Sequence, residues 1–279
     1  MQTIDDFEGK AALITGAADG IGLALSEALV GAGAQVFMSD IAEEKLAEAA
    51  ARIGAAAAPC DVTDEKAVAG LVERAWSEVG PIDLLCANAG VIVPGSILEA
   101  SRQDIDFVFG VNVWGILNAC RPFVRQLREA GRGGHILMTG SEHSLSNPGY
   151  LRHVPLHVYN MTKHAVLSLG ESLRAELASE GVGVSVLCPG PVVSGLADNS
   201  TSFRPDRFGG PTPMAPGGID IGEEEAARIA ALYMPASRAA EIALAGIRAG
   251  TFVIPTHAFE KEDVDARYRE ISEGFALLD

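Results

Sequence analysis

Residues 11–22 read Ala-Ala-Leu-Ile-Thr-Gly-Ala-Ala-Asp-Gly-Ile-Gly, and this stretch decides the fold. Residues 11–15 predict a short buried strand, and residues 21–31 predict the helix that follows it. Glycines in such a turn let the backbone approach a pyrophosphate closely, while the helix N-terminus offers free N–H groups and a partial positive charge. A lone glycine-rich turn is a weak signal, but this one lies in the first strand–helix unit. We therefore expect a dinucleotide site lined by Gly16, Asp19, Gly20, Ile21 and Gly22.

Short apolar runs and helical stretches continue to alternate along the chain, which indicates repeated β–α–β units. Further strands are predicted at 35–39, 55–58, 82–87, 135–139, 182–188 and 252–255. Further helices are predicted at 43–53, 65–79, 104–130, 159–180, 223–233 and 235–249, and a charged helix follows the last strand. The sequence has no internal repeat and no linker between two cores. We therefore predict an α/β fold, a Rossmann-like doubly wound parallel sheet in a single domain spanning residues 1–279.

The alternation breaks between residue 191 and about residue 222, where prolines stand at 191, 205, 211, 213 and 216. Long irregular segments inside a compact domain are usually functional. We expect residues 191–235 to form a lid-like substrate loop.

Composition excludes several classes of function. The formal net charge of -16 argues against a nucleic-acid partner, because phosphate contacts need clustered Lys and Arg. Cysteines are scattered without a Cys-x-x-Cys pair, and Cys86 and Cys188 fall in apolar runs, which indicates buried thiols in a reducing compartment. Acidic residues near the N-terminus do not suit a signal peptide, and no uninterrupted apolar run is expected to span a bilayer. We predict a soluble, cytoplasmic protein with no membrane partner.

Asp40 ends the second predicted strand and bears on the choice of cofactor. A carboxylate there can accept hydrogen bonds from the adenosine ribose and would repel a 2′-phosphate. The next residue is Ile41, where a phosphate-binding cation could otherwise stand. NAD is therefore favoured over NADP. Two further groups follow predicted strands: Asp61 and Val62 are expected to bracket the adenine ring, and Asn88, Ala89 and Gly90 to lie along the cofactor ribose.

Tyr159 and Lys163 form the chain's only Tyr-x-x-x-Lys pair. At this spacing both side chains lie on one face of a helix. A tyrosine with its ordinary pKa near 10 is a poor base at neutral pH. A nearby lysine charge, and that of an oxidised nicotinamide, would favour the phenolate. The pair therefore indicates acid/base chemistry.

With these residues the sequence resembles the short-chain dehydrogenase/reductase family over about residues 9–195. The resemblance is carried by Thr15-Gly-x-x-x-Gly20-x-Gly22, Asp61, Asn88-Ala89-Gly90, Asn112, Ser141, Tyr159-x-x-x-Lys163 and Pro189-Gly190. It implies a sheet of about seven parallel strands and a catalytic tetrad of Asn112, Ser141, Tyr159 and Lys163. Tyr159 would be the acid/base on the substrate oxygen, which Ser141 would hydrogen-bond. Lys163 would lower the pKa of Tyr159 and hold the nicotinamide ribose, and Asn112 would anchor a proton-relaying water.

At two of these positions a purely structural role stays open. Ser141 follows a predicted strand as a turn residue could, and Asn112 could merely cap or kink its helix. Ser141 also stands farther from Tyr159 than many family members have it, so Ser144 or Ser146 would give a shorter spacing. We prefer Ser141 because it comes just after the strand. The surplus residues around 150–157 should bulge at the rim of the site.

The remaining cofactor contacts are expected after the sixth strand. Pro189 and Gly190 would adjoin the nicotinamide, with Val192 behind its ring, and Ser194 stands where the family often has threonine. Substrate contacts are assigned to Ser141, His143, Tyr150, Tyr159 and Leu196.

A metal site is not expected. His153 and His157 have helical ligand spacing, but Pro155 interrupts the pair and no third ligand matches. The histidines are expected at the rim or behind the site.

We predict an NAD-dependent oxidoreductase that interconverts a secondary alcohol and its ketone. The segment 252–255 and the charged helix after it are similar to the tails of short-chain enzymes that oxidise benzylic alcohols, which favours a bulky, apolar or aromatic substrate. The alternative is a non-catalytic dinucleotide-binding regulator or scaffold; a sugar-nucleotide epimerase fits less well, because such relatives are usually longer. The resemblance also implies a homodimer or homotetramer formed by the helices that carry Asn112 and Tyr159, through apolar residues such as Val113, Leu117, Val166, Leu169 and Leu173.

Overall fold

The computed structural model describes residues 3–152, 154–211 and 222–278. These residues form one seven-stranded parallel sheet in the order β3-β2-β1-β4-β5-β6-β7. The strands are β1 Ala11–Thr15, β2 Gln35–Asp40, β3 Ala56–Pro59, β4 Leu84–Ala87, β5 Gly134–Thr139, β6 Val182–Cys188 and β7 Val253–Pro255. The strand order reverses between β1 and β4, and in such sheets ligands bind in the crevice at the carboxyl ends of the strands beside this point. The predicted α/β fold is confirmed.

Helices cover both faces of the sheet. They are α1 Gly20–Gly31, α2 Glu43–Ile53, α3 Glu65–Val79, α4 Arg102–Phe109, α5 Ile116–Ala130, α6 His157–Glu176, α7 Leu196–Ser202, α8 Glu223–Ala230, α9 Ala236–Arg248 and α10 Glu260–Phe275. One buried apolar cluster packs α3, α4, α5 and α6 on the sheet, and a second packs α1, α2 and α9 on the other face. The strands are buried on both faces, which explains their continuous apolar sequences.

The helix predicted over 104–130 is interrupted. A π-helical segment, Gly110–Gly115, separates α4 from α5 and contains Asn112. Such π segments inside α-helices are frequent at functional sites. The stretch Arg102–Ala130 is long and apolar enough to cross a membrane by length and composition, although polar residues such as Asn112 and Asn118 interrupt its apolar run. Since 72% of its most apolar window is buried inside the domain, that apolar character belongs to a core helix.

Two other predicted elements end early. The helix predicted to reach residue 180 ends at Glu176, and a turn follows in which Glu180 pairs with Arg128. The helix predicted over 223–233 ends at Ala230. Elsewhere the predicted and observed bounds agree closely, and those of α2, α3 and β6 agree at both ends.

The segment predicted as a lid is partly ordered. Residues 194–210, called the strap below, contain α7 and a short 3₁₀ turn, Asp206–Phe208. At its start, Val193 N donates to Met234 O at 3.0 Å, which ties the segment to the chain before α9. Prolines 213 and 216 lie outside the described residues.

Two further expectations can be compared with the structure. Cys60, Cys86, Cys120 and Cys188 are all free and buried, as expected. Val166, one of the apolar residues predicted to form the subunit interface, lies in the core instead, and Leu169 and Leu173 pack against the same core cluster. On the segments that carry Asn112 and Tyr159, the exposed large apolar side chains are Trp114 and Met161.

Candidate active site

The glycine-rich turn adopts a shape that larger residues could not. Gly16 has a φ of +65°, and a Cβ there would lie 2.8 Å from Ala89 Cα. A Cβ at Gly22 would lie 2.0 Å from Gly16 O. The backbone of the turn therefore folds tightly on itself and against the loop after β4. This leaves an uncluttered backbone cradle at the N-terminus of α1, the arrangement that suits a pyrophosphate.

Asp19 has a second function that the sequence did not indicate. Its Oδ1 accepts a bond from Gly20 N at 2.6 Å and caps α1. Its Oδ2 accepts bonds from Gly195 N and Asn199 Nδ2, both at 3.1 Å. The carboxylate thus ties the strap to the glycine-rich turn. Ile21, next in the turn, is half-buried and packs against the core on the α1 side.

Asp40 lies at the carboxyl end of β2, beside the same turn. Its Oδ2 accepts a hydrogen bond from Ala18 N and its Oδ1 one from Ala42 N, both at 3.0 Å. A carboxylate has about four acceptor positions, so both oxygens keep capacity for ribose hydroxyls. The neighbouring Ile41 is 41% exposed and apolar, so it offers no positive charge beside Asp40.

Asp61 contacts the far end of the strap. Its Oδ1 accepts bonds from Thr63 N at 2.9 Å and from Thr63 Oγ1 at 2.7 Å, while its Oδ2 pairs with Arg207. Val62 is buried next to it, in the core cluster. The strap therefore reaches from the glycine-rich turn to the predicted adenine position.

Asn88, which follows β4, hydrogen-bonds to residues at the carboxyl ends of β1 and β5. Its Nδ2 donates to Thr15 O and Gly16 O, both at 3.1 Å, and its Oδ1 accepts a bond from Thr139 Oγ1 at 3.0 Å. Thr15 Oγ1 in turn accepts bonds from the backbone N–H groups of Asn88 and Ala89. These contacts hold the glycine-rich turn, the Asn88–Gly90 loop and the end of β5 in one arrangement.

The four residues of the expected tetrad meet around the carboxyl ends of β4 and β5. Lys163 Nζ donates to Thr139 O at 2.9 Å and lies 5.4 Å from the centre of the Tyr159 ring. A Cβ at Gly90 would lie 3.6 Å from Lys163 Nζ and 3.5 Å from Asn112 Oδ1. All four side chains are buried.

The Asn112 side chain makes three hydrogen bonds to the protein and keeps one acceptor position on Oδ1. Its Oδ1 accepts a bond from Val91 N at 2.8 Å, and its Nδ2 donates to Val91 O and to Thr162 Oγ1, both at 3.0 Å. The π segment thereby connects the loop after β4 to α6. Asn112 does more than cap or kink its helix.

Ser141 remains the preferred serine of the three candidates. The Ser141 side chain hydrogen-bonds to Tyr159, a contact that by itself lowers the pKa of the tyrosine. Ser144 Oγ instead accepts a bond from Ser141 N at 3.1 Å, and Ser146 is buried further along the turn. The turn Glu142–Ser144 is capped by Ser141, whose Oγ accepts a bond from His143 N. Ser141 is therefore both a turn residue and a neighbour of the tyrosine hydroxyl.

The pKa of Tyr159 departs from the expectation. Burial, with a smaller effect from Glu142, raises it to about 12, although the hydrogen bond with Ser141 acts in the opposite sense. Burial also lowers the pKa of Lys163 to about 8. The side chains of the site therefore keep the Tyr159 phenol protonated at neutral pH, instead of depressing its pKa through Lys163.

The residues assigned to the substrate and nicotinamide side make several separate contacts. The buried His143 ring packs edge-on against the Tyr159 ring, with centres 5.5 Å apart, and burial lowers the pKa of His143 to about 4. Tyr150 packs edge-on against Phe259 and donates its hydroxyl to Glu142. Leu196 begins α7, Val192 is buried, Ser194 lies against Gly20, and Pro189 and Gly190 follow β6.

No metal centre is evident among the residues that the structure describes: no group of three or more His, Cys, Asp or Glu side chains could hold an ion. His157 begins α6, whereas His153 lies outside the described residues. Sequence reasoning missed two buried carboxyls at this site, Glu142 and Glu260. Glu142 adjoins Ser141 without belonging to a motif, and Glu260 is remote in sequence.

Comparison with known proteins gives concordant matches. The family model for short chain dehydrogenases matches residues 10–205. The 1-deoxy-11-beta-hydroxypentalenate dehydrogenase of Streptomyces exfoliatus is 39% identical over 198 residues, 67% of this chain and 70% of that protein. The sorbitol dehydrogenase of Cereibacter sphaeroides is 37% identical over 187 residues, 66% of this chain and 71% of that protein. A short chain dehydrogenase/reductase from Burkholderia phymatum, solved in complex with NAD, has a TM-score of 0.86 at 30% identity and covers 97% of both chains.

Proposed function

Because this chain belongs to the short chain dehydrogenase family, we propose that it is an NAD-dependent oxidoreductase that interconverts a secondary alcohol and its ketone. The observation that carries the proposal is the meeting of Tyr159, Lys163, Ser141 and Asn112 in one buried cluster beside the Asn88–Gly90 loop. A dinucleotide-binding scaffold would have no use for a phenol and an ammonium placed together beside the expected nicotinamide position, so this placement favours catalysis.

The groove residues fit a dinucleotide with a free 2′-hydroxyl. The tight turn at Gly16 and Gly22 leaves the backbone cradle that a pyrophosphate requires. Asp40 is held by two backbone N–H groups at the end of β2, where it would accept hydrogen bonds from ribose hydroxyls and repel a phosphate. The structural relative from Burkholderia phymatum, which was solved with NAD, supports the same choice.

NAD, when bound, supplies the hydride acceptor for alcohol oxidation. The chain's own residues handle the proton and the geometry. In alcohol oxidation Tyr159 takes the proton of the substrate hydroxyl, and in ketone reduction it returns a proton to the same oxygen. Ser141 hydrogen-bonds that oxygen. Lys163 uses one of its three donors on Thr139 O, so two remain for the nicotinamide ribose. Asn112 fixes the loop after β4 next to Lys163.

The raised pKa of Tyr159 matters for the two directions of reaction. At about 12 it leaves the phenol protonated at neutral pH, which is the form that donates a proton to a ketone oxygen. Oxidation requires the phenolate, and the positive charge of an oxidised nicotinamide would favour it.

The substrate is a small molecule with a bulky apolar or aromatic group next to the carbinol. The support is the aromatic cluster in which Tyr150, one of the residues assigned to the substrate, and His257 both pack against Phe259. The buried free cysteines support a reducing, cytoplasmic location.

The test is reduction of NAD by a panel of aryl, alicyclic and polyhydroxylated secondary alcohols, followed by absorbance of the reduced nicotinamide. Tyr159→Phe is the matched control, because it removes only the proton acceptor. Turnover of at least one alcohol by the wild type and not by the variant supports the proposal. Binding of NAD without turnover of any panel member would instead favour a scaffold.

A further inference from the structure

Two buried glutamates flank the backbone that follows β6. Glu142, directly after Ser141, is 4% exposed, and its N–H donates to Pro189 O at 2.9 Å. Glu260, at the start of α10, is also 4% exposed. A Cβ at Gly190 would lie 2.7 Å from Glu260 Oε1. The two carboxyls therefore stand around the same Pro189–Gly190 backbone, close to the proposed proton acceptor.

Neither carboxyl is fully compensated. Tyr150 donates its hydroxyl to Glu142 Oε1, whereas Glu142 Oε2 and both oxygens of Glu260 are buried and have no hydrogen-bond partner among the residues that the structure describes. An ionised carboxylate without partners is costly to bury, so such groups tend to hold a proton.

The histidine beside Glu260 does not supply the missing charge. His257 Nδ1 lies 3.7 Å from Glu260 Oε1, while its Nε2 contacts Leu232 O at 3.1 Å. A carbonyl oxygen can only accept, so Nε2 carries the proton. Burial lowers the pKa of His257, so the ring is neutral at neutral pH and its Nδ1 carries none. Glu260 therefore faces an acceptor instead of a cation.

Neighbouring carboxylates also favour the protonated forms of Glu142 and Glu260. Asp263, on α10, accepts a bond from Gly149 N at 2.9 Å and opposes ionisation of Glu142. Glu142 in turn opposes ionisation of Glu260. On its own turn Glu142 has His143, whose lowered pKa leaves it neutral, and on α6 it acts on Tyr159. Lys163 Nζ lies over the Tyr159 ring, 5.4 Å from its centre.

We propose that Glu142 and Glu260 form a coupled carboxyl pair whose charge, acting through Glu142, sets the pH at which Tyr159 exchanges its proton with the substrate. Both are positioning residues, since they act on Tyr159 and not on the reacting atoms. The inference rests on the proposed function.

The pair changes its charge around neutral pH. Burial raises the pKa of Glu142 to about 7, and burial together with Glu142 raises that of Glu260 to about 8. As pH rises through neutrality the pair becomes negative and opposes formation of the Tyr159 phenolate. The charge therefore favours the protonated phenol, and with it ketone reduction, over a wider pH range.

The test is the pH profile of kcat/KM for NAD-linked alcohol oxidation by the wild type, Glu142→Gln and Glu260→Gln. Glu142→Gln removes the carboxylate that opposes ionisation of Tyr159, so the acid limb should move to lower pH, with activity on that limb rising roughly threefold to tenfold. Glu260→Gln should move the limb the other way and by less, because Glu142 then ionises more readily. Glu262→Gln is the matched control: Glu262 is exposed on the same helix and should leave the profile unchanged.

Opposite shifts for the two buried positions are not expected from a merely structural disturbance. An active wild type whose acid limb stays fixed in both variants, or moves in the same direction in both, would overturn the inference. Infrared titration gives a reading without turnover: a protonated-carboxyl band should be present near neutral pH and diminish in each buried variant. Absence of that band in the wild type would also overturn it. If the wild type oxidises no alcohol, the proposed function fails, and the infrared titration decides the pair by itself.

Discussion

Asn199 Nδ2 donates a hydrogen bond to Asp19 Oδ2 at 3.1 Å, although the two residues are 180 positions apart in the chain. The same carboxylate oxygen accepts Gly195 N, so one acidic side chain fixes the start of the strap on the glycine-rich turn. At the other end Arg207 pairs with Asp61. Between them, Ser200 Oγ accepts a bond from Ile92 N at 2.9 Å. The strap is therefore anchored along the length of the groove.

Asn199→Asp should loosen this anchor, because it replaces a donor by a second carboxylate facing Asp19. Losing the hydrogen bond and adding like-charge repulsion should cost about 1–2 kcal/mol locally. Amide exchange over residues 195–203 should accelerate on the order of tenfold, as followed by hydrogen–deuterium exchange mass spectrometry. Asp198→Asn, an exposed change in the same helix, is the control. Unchanged exchange in Asn199→Asp would mean that the strap is held by its other contacts.

Asp40 should determine the preference between the two nicotinamide dinucleotides. We expect kcat/KM with NAD to exceed that with NADP by at least about tenfold, on the order of 1.4 kcal/mol. Asp40→Asn should reduce this ratio by removing the charge that repels a 2′-phosphate. It should also lower the unfolding temperature, because the amide oxygen can keep only one of the bonds from Ala18 N and Ala42 N and the amide nitrogen cannot accept the other. Equal efficiency of wild type with both dinucleotides would contradict the role assigned to Asp40.

The accuracy of the sequence prediction depended on how local each signal was. Helices α2 and α3 and strand β6 were predicted to the residue, since their boundaries follow from apolar patterns and from terminal residues such as Asp64, which caps α3. Tyr159 and Lys163 were paired correctly, because helix geometry fixes the positions of residues four apart.

Contacts between distant residues could not be predicted in this way. The carboxylate of Asp19 accepts bonds from strap residues, and Glu260 reaches the site from α10 with no motif around it. The π segment at Asn112 was also missed, because its apolar pattern fits a continuous helix. The raised pKa of Tyr159 follows from burial, which a sequence pattern does not measure.

The buried carboxyls should make folding stability depend on pH. Glutamates with an ordinary pKa of 4.5 hold their protons more tightly when folded, with values of about 7 for Glu142 and about 8 for Glu260. The folded state then binds more protons than the unfolded state, so this contribution is present below the unfolded pKa and is lost as pH rises through the folded pKa. Between about pH 6.5 and 7.5, the free energy of unfolding should therefore decline; at higher pH the lowered pKa of Lys163 acts in the opposite sense.

Urea unfolding of wild type and Glu260→Gln over that range checks the decline. The lower limit avoids the buried His143, whose lowered pKa destabilises the fold only at more acidic pH. The variant should show a shallower slope than wild type, and Glu262→Gln the wild-type slope. A stability that rises from about pH 6.5 to 7.5 would contradict the assignment.

Assembly into a dimer or tetramer should depend on Trp114 and Met161. Both belong to the helices that the family resemblance assigns to the interface, and they are 54% and 48% exposed in the single chain. Trp114→Glu and Met161→Glu should each lower the mass measured by light scattering at micromolar concentration. Leu98→Glu is the matched control, because Leu98 is 92% exposed but lies outside these helices. A wild type that is monomeric under these conditions would refute the proposed assembly.

The final prediction separates proton transfer from cofactor binding. Tyr159→Phe removes the proton acceptor but keeps the ring that packs against His143, so NAD affinity measured by calorimetry should stay within a few-fold. Turnover should fall by about 10²–10⁴-fold, the usual effect of losing a positioned acid/base group. Lys163→Met also removes the bond to Thr139 O and a donor for the nicotinamide ribose. It should weaken NAD binding as well as turnover, and its residual activity should rise toward higher pH. The comparison uses both variants with one alcohol across pH. A Tyr159→Phe enzyme that retains more than about half of its turnover would show that another residue takes the proton, because loss of the only acceptor cannot leave the rate intact.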